Sequence, residues 1–169
     1  MSKSICIADA SVLHEISRSI DSARHADMIH GLTSCVDQGI LGFPRDVATE
    51  LTVIARGEPI WSWANGLTSK IDNYNPSISW MRPFMGYVQE AGFEYGIDGI
   101  ESGENAMATV GCLCLQLQSE SREFVLATED NGETPLRPTM EQIANLAGWS
   151  MIDARGALNH LGLGHLSMP

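Results

Sequence analysis

The sequence has little of what several protein classes require, and its cysteines are the first example. Cys112 and Cys114 form a Cys-x-Cys pair without a second pair, so a four-ligand zinc site is not expected. The other two, Cys6 and Cys35, lie in an apolar run and on a predicted helix, which indicates reduced core residues in a cytoplasmic protein. No N-terminal apolar run suits a signal peptide, and no stretch is long enough to span a membrane.

Basic residues are also scarce. The chain has 10 Lys and Arg against 21 Asp and Glu, which gives a formal net charge of −11. This balance argues against a protein that coats nucleic acid through a basic face. A nuclease is not excluded, because acids can gather at a metal site while the few basic residues form a local patch. An acidic chain also suits a basic partner.

Several motifs of nucleotide and phosphate chemistry are missing. The glycines form neither Gly-x-Gly-x-x-Gly nor Gly-x-x-x-x-Gly-Lys-Ser/Thr, which disfavours a nucleotide-binding domain. Phosphotransfer enzymes also place an Asp after the first strand, but "ASVLHEI" follows Asp9 without a second Asp two positions on. No histidine lies in a recognisable acid–base motif. With 169 residues and no repeat or linker, the chain is expected to form a single domain, 1–169.

Short apolar runs alternate with amphipathic segments along the chain. The apolar runs predict strands at 4–8, 40–43, 123–127 and 149–152. Helical spacing of apolar residues predicts helices at 25–39, 45–57, 103–118, 139–148 and 154–163. The tryptophan-rich segment 58–99 predicts an insert of short helices. This alternation is typical of an α/β fold with a mainly parallel sheet.

Acidic residues fall at comparable places in this scheme. Asp9 ends the first strand and Asp130 follows the third, so if those strands are neighbours the two carboxylates share one crevice. Glu50 lies in the helix after the second strand, and Glu104 lies in the first turn of its helix. Each acid alone also has a structural explanation as a turn residue, an exposed helix residue or a partner of the helix dipole.

Four segments together carry a resemblance to a known family. They are "CIADASVL", "FPRDVATEL", "GIESGENAMATVGC" and "VLATEDNG", in that order along the chain. The chain resembles the PIN-domain nucleases, the fold used by toxins of VapBC-type toxin–antitoxin pairs. Its tail, "RPTMEQIANLAGWSMIDARGALNHLGL", also looks like a PIN-like subgroup.

The resemblance implies a three-layer α/β/α sandwich, with four to five strands, that acts as a Mg²⁺- or Mn²⁺-dependent ribonuclease. It assigns the metal to Asp9, Glu50, Glu104 and Asp130. Ser11 and Thr128 match the polar positions that support these acids. The third block departs from the commonest pattern by using Glu, so Glu101 and Glu129 compete for the third and fourth roles. The alternative is a catalytically inactive PIN-like module that binds protein or RNA.

Two expectations concern surfaces. Since alternate residues point opposite ways at a strand end, Glu129 is expected to face solvent. The aromatic residues of the insert suit either an interface, in a homodimer or with an antitoxin, or the core beneath the insert. They are Trp61, Trp63, Trp80, Phe84 and Tyr87.

Overall fold

A parallel four-stranded sheet lies at the centre of the fold. The structure of the chain, a computed structural model, describes residues 4–93, 105–130 and 138–167. The strands are β1 (Ile5–Ala8), β2 (Leu41–Gly42), β3 (Phe124–Ala127) and β4 (Met151–Ile152). Their order across the sheet is β2-β1-β3-β4, and every pair is parallel. The α/β class and all four predicted strands are therefore confirmed.

Helices connect the strands. In the described ranges they are α1 (Ala10–Ser19), α2 (His25–Asp37), α3 (Arg45–Ile54), α4 (Pro59–Gly66), α5 (Met81–Glu90), α6 (Asn105–Ser119), α7 (Met140–Ala147) and α8 (Ala154–His160). The five predicted helices are confirmed as α2, α3, α6, α7 and α8. The insert contains α4, α5 and the 3-10 helices Thr68–Tyr74 and Ile78–Trp80. Part of the insert, 94–99, lies outside the described residues.

The direction of the connections is compatible with three layers. The chain moves from β1 to β2 in one direction, and then passes back across β1 to reach β3. Because such crossovers are right-handed, α6, the helix that leads into β3, is expected on the face of the sheet opposite to that of α1 and α2. Consistent with this, α6 packs against β1 and β3. Helix α1 of the first connection packs against α8, which itself contacts β3 and β4. The reversal of direction places a topological switch point between β1 and β3.

One helix, α1, has no counterpart in the sequence prediction. Its buried residues Val12, Leu13 and Ile16 repeat at helical spacing, and Asp9 occupies the N-cap. The apolar spacing was visible in the sequence, but a strand-end Asp followed by small residues is also a turn signal. The consequence for function is that Asp9 both ends a strand and begins a helix.

The core includes all four cysteines, which are free and buried, as expected. Burial raises the pKa of the Cys6 thiol to about 12 and that of Cys112 to about 11, so neither is a thiolate near neutral pH. In the ranges described, no helix is both long enough and apolar enough to cross a membrane.

The aromatic residues of the insert contribute mainly to this core. Phe84 and Trp63 are buried, and the Trp63 indole donates a hydrogen bond to Thr33 Oγ1 at 2.9 Å. Trp61 is half-buried and donates to Thr52 Oγ1, also at 2.9 Å. The two indole N–H groups thus have partners inside the chain, as buried tryptophans usually do. This agrees with the second of the two expectations from sequence, in which these side chains form the core beneath the insert.

Close packing of α5 on α6 gives a test of this core. A Cβ at Gly111 would overlap the ring of the fully buried Phe84, whereas a Cβ at Gly86 would meet nothing within 4 Å. We expect Gly111→Ala to destabilise the fold by about 1–3 kcal/mol through overpacking. The matched Gly86→Ala change should be neutral, or stabilising by up to about 1 kcal/mol. Urea unfolding of both variants measures the difference, and equal stabilities would contradict the packing.

Candidate functional site

The carboxyl ends of β1 and β3 lie side by side. Ala8 pairs with Ala127, and the next amide, Asp9 N, donates to Ala127 O at 3.2 Å. This confirms that the two strands are neighbours, the condition on which the shared crevice depended. Asp9 and the 128–130 segment therefore leave the sheet together, at its topological switch point.

Asp9 is held by three hydrogen bonds from the protein. Its Oδ1 accepts from Val12 N at 2.9 Å and from Ser11 Oγ at 2.7 Å. Its Oδ2 accepts from the hydroxyl of Thr128, across the boundary between the two strands. The Asp9 side chain is buried, with 5% of the residue exposed. Ser11 and Thr128, the two supporting positions expected from sequence, both contact Asp9 directly.

Burial dominates the electrostatics of Asp9. The pKa of Asp9 is raised from the ordinary 3.8 to about 6, chiefly by desolvation and to a smaller extent by the nearby Asp130 carboxylate. The hydrogen bonds from Thr128, Ser11 and Val12 act in the opposite direction, since they favour the charged form. Asp9 is therefore ionised near neutral pH and takes up a proton in mild acid.

Asp130 is tied to the same network through Thr128. The Thr128 Oγ1 atom accepts from Asp130 N at 2.9 Å while its proton goes to Asp9. Asp130 Oδ2 accepts from Met140 N, the first residue of α7, at 3.0 Å. Thr139, the N-cap of α7, accepts from Gln142 N at 3.1 Å. Asp130 thus satisfies an amide that the α7 cap leaves without an intrahelical partner.

Glu129 does not face solvent, so that expectation is wrong. The residue is half-buried, and its Oε1 accepts from Ala154 N, the first residue of α8, at 2.7 Å. Alternation of side chains holds within a strand, but β3 ends at Ala127 and the backbone beyond it is free to turn. The adjacent acids Glu129 and Asp130 consequently bind the first turns of two different helices.

The places of the other predicted acids relative to this pair stay predictions. Glu50 is half-buried in α3. Glu104 and its competitor Glu101 lie outside the described residues. The sites predicted from sequence therefore divide into Asp9, Ser11, Thr128 and Asp130, which come together, and Glu50 and Glu104, whose place beside them stays a prediction.

Sequence reasoning missed another acid at the same edge of the sheet. Asp46 lies in the first turn of α3, directly after β2, and accepts a hydrogen bond from the Thr109 hydroxyl of α6. An acid in the first turn of a helix has an ordinary explanation in the helix dipole. Its position after a strand that neighbours β1 was the signal that could have found it.

Asp9 and Asp130 are the donors that this site offers to a divalent cation. Asp9 and Asp130 supply carboxylate oxygens only, and Asp9 Oδ2, with one bond accepted, keeps a second lone pair. Mg²⁺ is commonly held by one or two carboxylates together with water and substrate phosphate, so this pair fits it. Among the residues described, no group of three or more His, Cys, Asp or Glu side chains could hold a metal ion.

No protein-family model, no curated protein and no solved structure matches the chain.

Proposed function

We propose that the chain is a PIN-like, metal-dependent ribonuclease that hydrolyses RNA phosphodiester bonds. The observation that supports this most directly is the pairing of Asp9 with Asp130 at the switch point, where α/β proteins of this topology bind their ligands. The order of the four sequence blocks adds to it. We further propose that the protein is the toxin of a toxin–antitoxin pair, with a basic antitoxin as the partner that its acidic charge suits.

The residues of the chain would prepare the site in a defined way. Thr128 and Ser11 hold the Asp9 carboxylate in one orientation, and the Thr128 hydroxyl also fixes the Asp130 backbone. A bound Mg²⁺ or Mn²⁺ would activate water for in-line attack on the phosphodiester and stabilise the leaving oxygen. Asp9 and Asp130 would hold that ion, Asp9 in its ionised form.

The proposal is tested by incubating the pure protein with a panel of tRNA, rRNA and mRNA. We expect cleavage with Mn²⁺ or Mg²⁺ and none with EDTA. Asp9→Asn, assayed in parallel, separates cleavage by this protein from cleavage by a contaminating nuclease. Cleavage that persists in EDTA, or no cleavage of any RNA with either metal, would contradict the proposed activity.

A specific observation favours the alternative, an inactive PIN-like binding module. Asp9 and Asp130 both serve as hydrogen-bond acceptors for the first turns of helices, α1 and α7. Such contacts stabilise the fold whether or not a cation binds. An inactive module would bind RNA or protein without cutting RNA, so retention of intact RNA by the purified protein in Mn²⁺ would favour it.

Mutation can decide whether Glu104 or Glu101 is the third acid of the proposed site. Both residues lie outside the described residues. We expect Glu104→Gln to lower RNA cleavage by at least about tenfold. Removing a residue that only orients a metal ligand already costs about that much, and a direct ligand should cost no less. Glu101→Gln should cleave like wild type, since Glu104 is the acid that directly precedes the small and apolar residues of α6. Comparing kcat/KM decides this, and equal, mild losses would mean that the third block is misaligned.

A further inference from the structure

Glu129 connects α8 to Asp9 through a continuous chain of hydrogen bonds. Its carboxylate accepts from Ala154 N at 2.7 Å, and its own backbone N–H donates to Ser11 Oγ at 3.0 Å. Ser11 Oγ in turn donates to Asp9 Oδ1 at 2.7 Å. Because a serine hydroxyl has a single proton, accepting from Glu129 N leaves that proton for Asp9. Both halves of Glu129, backbone and side chain, therefore take part in one path.

The far end of this path is firmly anchored. Helix α8 packs against β3, β4 and α1, and it buries Ala154, Ala157 and Leu158. The helix also has an N-cap of its own, Asp153, whose side chain accepts from Gly156 N at 2.8 Å. Glu129 satisfies a different amide, that of Ala154. Capping of α8 is thus shared by two acids, only one of which is linked to Asp9.

We propose that Glu129 is a positioning residue that holds Asp9 through Ser11. This inference rests on the proposed function, and it gives Glu129 a role other than that of a metal ligand. With its carboxylate bound to the Ala154 amide, Glu129 fixes the backbone of the 128–130 segment. The Ser11 hydroxyl is thereby held where it donates its hydrogen bond to Asp9 Oδ1. The open lone pair of Oδ2 is thereby kept in a constant direction. Outer partners that orient metal ligands commonly change metal affinity by about 10–100-fold.

The test compares Glu129→Ala with Glu129→Gln in Mn²⁺ titrations. Two midpoints are measured for each protein, one from the rise in melting temperature and one from RNA cleavage. We expect Glu129→Ala to raise both midpoints by about tenfold, the lower end for such partners. Glu129→Gln should restore both to near the wild-type values, because its amide oxygen can still accept from Ala154 N.

Asp153→Ala is the matched control. It removes the other cap of α8, which has no described contact with Ser11, so it should lower the melting temperature without shifting either Mn²⁺ midpoint. A second control uses Ser11→Ala. If Glu129 acts through Ser11, adding Glu129→Ala to Ser11→Ala should change the midpoints little, since neighbours on one path are not additive.

Several results would overturn the inference. A positioning role would be excluded if the Mn²⁺ midpoints of Glu129→Ala equal those of wild type. It would also be excluded if Asp153→Ala shifts the midpoints as far as Glu129→Ala does. Additive shifts in the double variant would mean that Glu129 acts by another route. If Glu129→Gln shifts the midpoints as far as Glu129→Ala does, the charge acts directly. A wild-type melt that ignores Mn²⁺ would overturn the inference as well. A wild-type protein that binds Mn²⁺ but cleaves no RNA contradicts only the proposed function, and the melting midpoints still decide the role of Glu129.

Discussion

Replacing Asp9 by Asn is expected to lower RNA cleavage by more than about 100-fold while the fold is retained. This loss exceeds the upper end for removing an outer partner of a metal ligand, because Asp9 is proposed to bind the metal directly. Asparagine keeps the shape of the side chain, and its amide oxygen can still accept from Val12 N and Ser11 Oγ, the contacts that begin α1. The measurement is kcat/KM on a cleaved RNA in Mn²⁺, with far-ultraviolet circular dichroism to check the fold.

Asp130→Asn is expected to cause the same loss, since Asp130 is the other member of the pair. Asp153→Asn is the matched control for both. Asp153 likewise follows a strand and caps a helix, but it is exposed and lies at the end of β4, away from the β1–β3 boundary. It should keep wild-type activity. Full activity in Asp9→Asn or Asp130→Asn would refute the site assignment, and an equal loss in Asp153→Asn would attribute the losses to weakened helix caps.

The second large effect is a pH dependence of stability in the absence of metal. The pKa of Asp9 is about 6 in the folded chain, against 3.8 as its ordinary value. Between these values the folded protein keeps a proton that the unfolded chain has lost, so the free energy of unfolding falls as pH rises. This loss of stability is complete above about pH 6. It amounts to about 3 kcal/mol, at about 1.36 kcal/mol per pKa unit.

The difference between wild type and Asp9→Asn isolates this contribution. The substituted amide has no proton that titrates in this range, so the variant should gain about 3 kcal/mol relative to wild type between about pH 4 and pH 7, in EDTA. Urea unfolding at a series of pH values measures it. A difference that does not change with pH would contradict the raised pKa of Asp9.

Adding Mn²⁺ at about pH 7 should reverse the loss in the wild-type protein. A cation that binds only the folded chain stabilises it by mass action, by about 2.7 kcal/mol when its concentration is about 100 times Kd. The melting temperature of wild type should therefore rise with Mn²⁺, while that of Asp9→Asn should respond weakly. Equal responses in the two proteins would place the bound ion elsewhere.

The sequence by itself determined the four strands, the helices α2, α3, α6, α7 and α8, and the positions of Asp9 and Asp130 at strand ends. These features depend on local patterns, namely apolar runs of strand length, apolar spacing of helical period, and polar residues where a run stops. The mainly parallel character of the sheet was also predicted, because strands that alternate with helices are typical of α/β folds with a parallel sheet. The buried cysteines were predictable from their apolar neighbours.

Only the tertiary structure decided which groups the acids contact. The sequence could not tell that β1 lies beside β3, or that Thr128 donates to Asp9 across that boundary, because residues far apart along the chain meet there. It placed Glu129 in solvent, whereas the first turn of α8 brings a backbone amide to its carboxylate. Likewise, the burial of Trp63 and Phe84 depends on how the insert packs onto the rest of the chain. Local sequence patterns determine the position of a polar residue on its strand or helix. Its hydrogen-bond partner is determined by elements from distant parts of the chain that pack beside it.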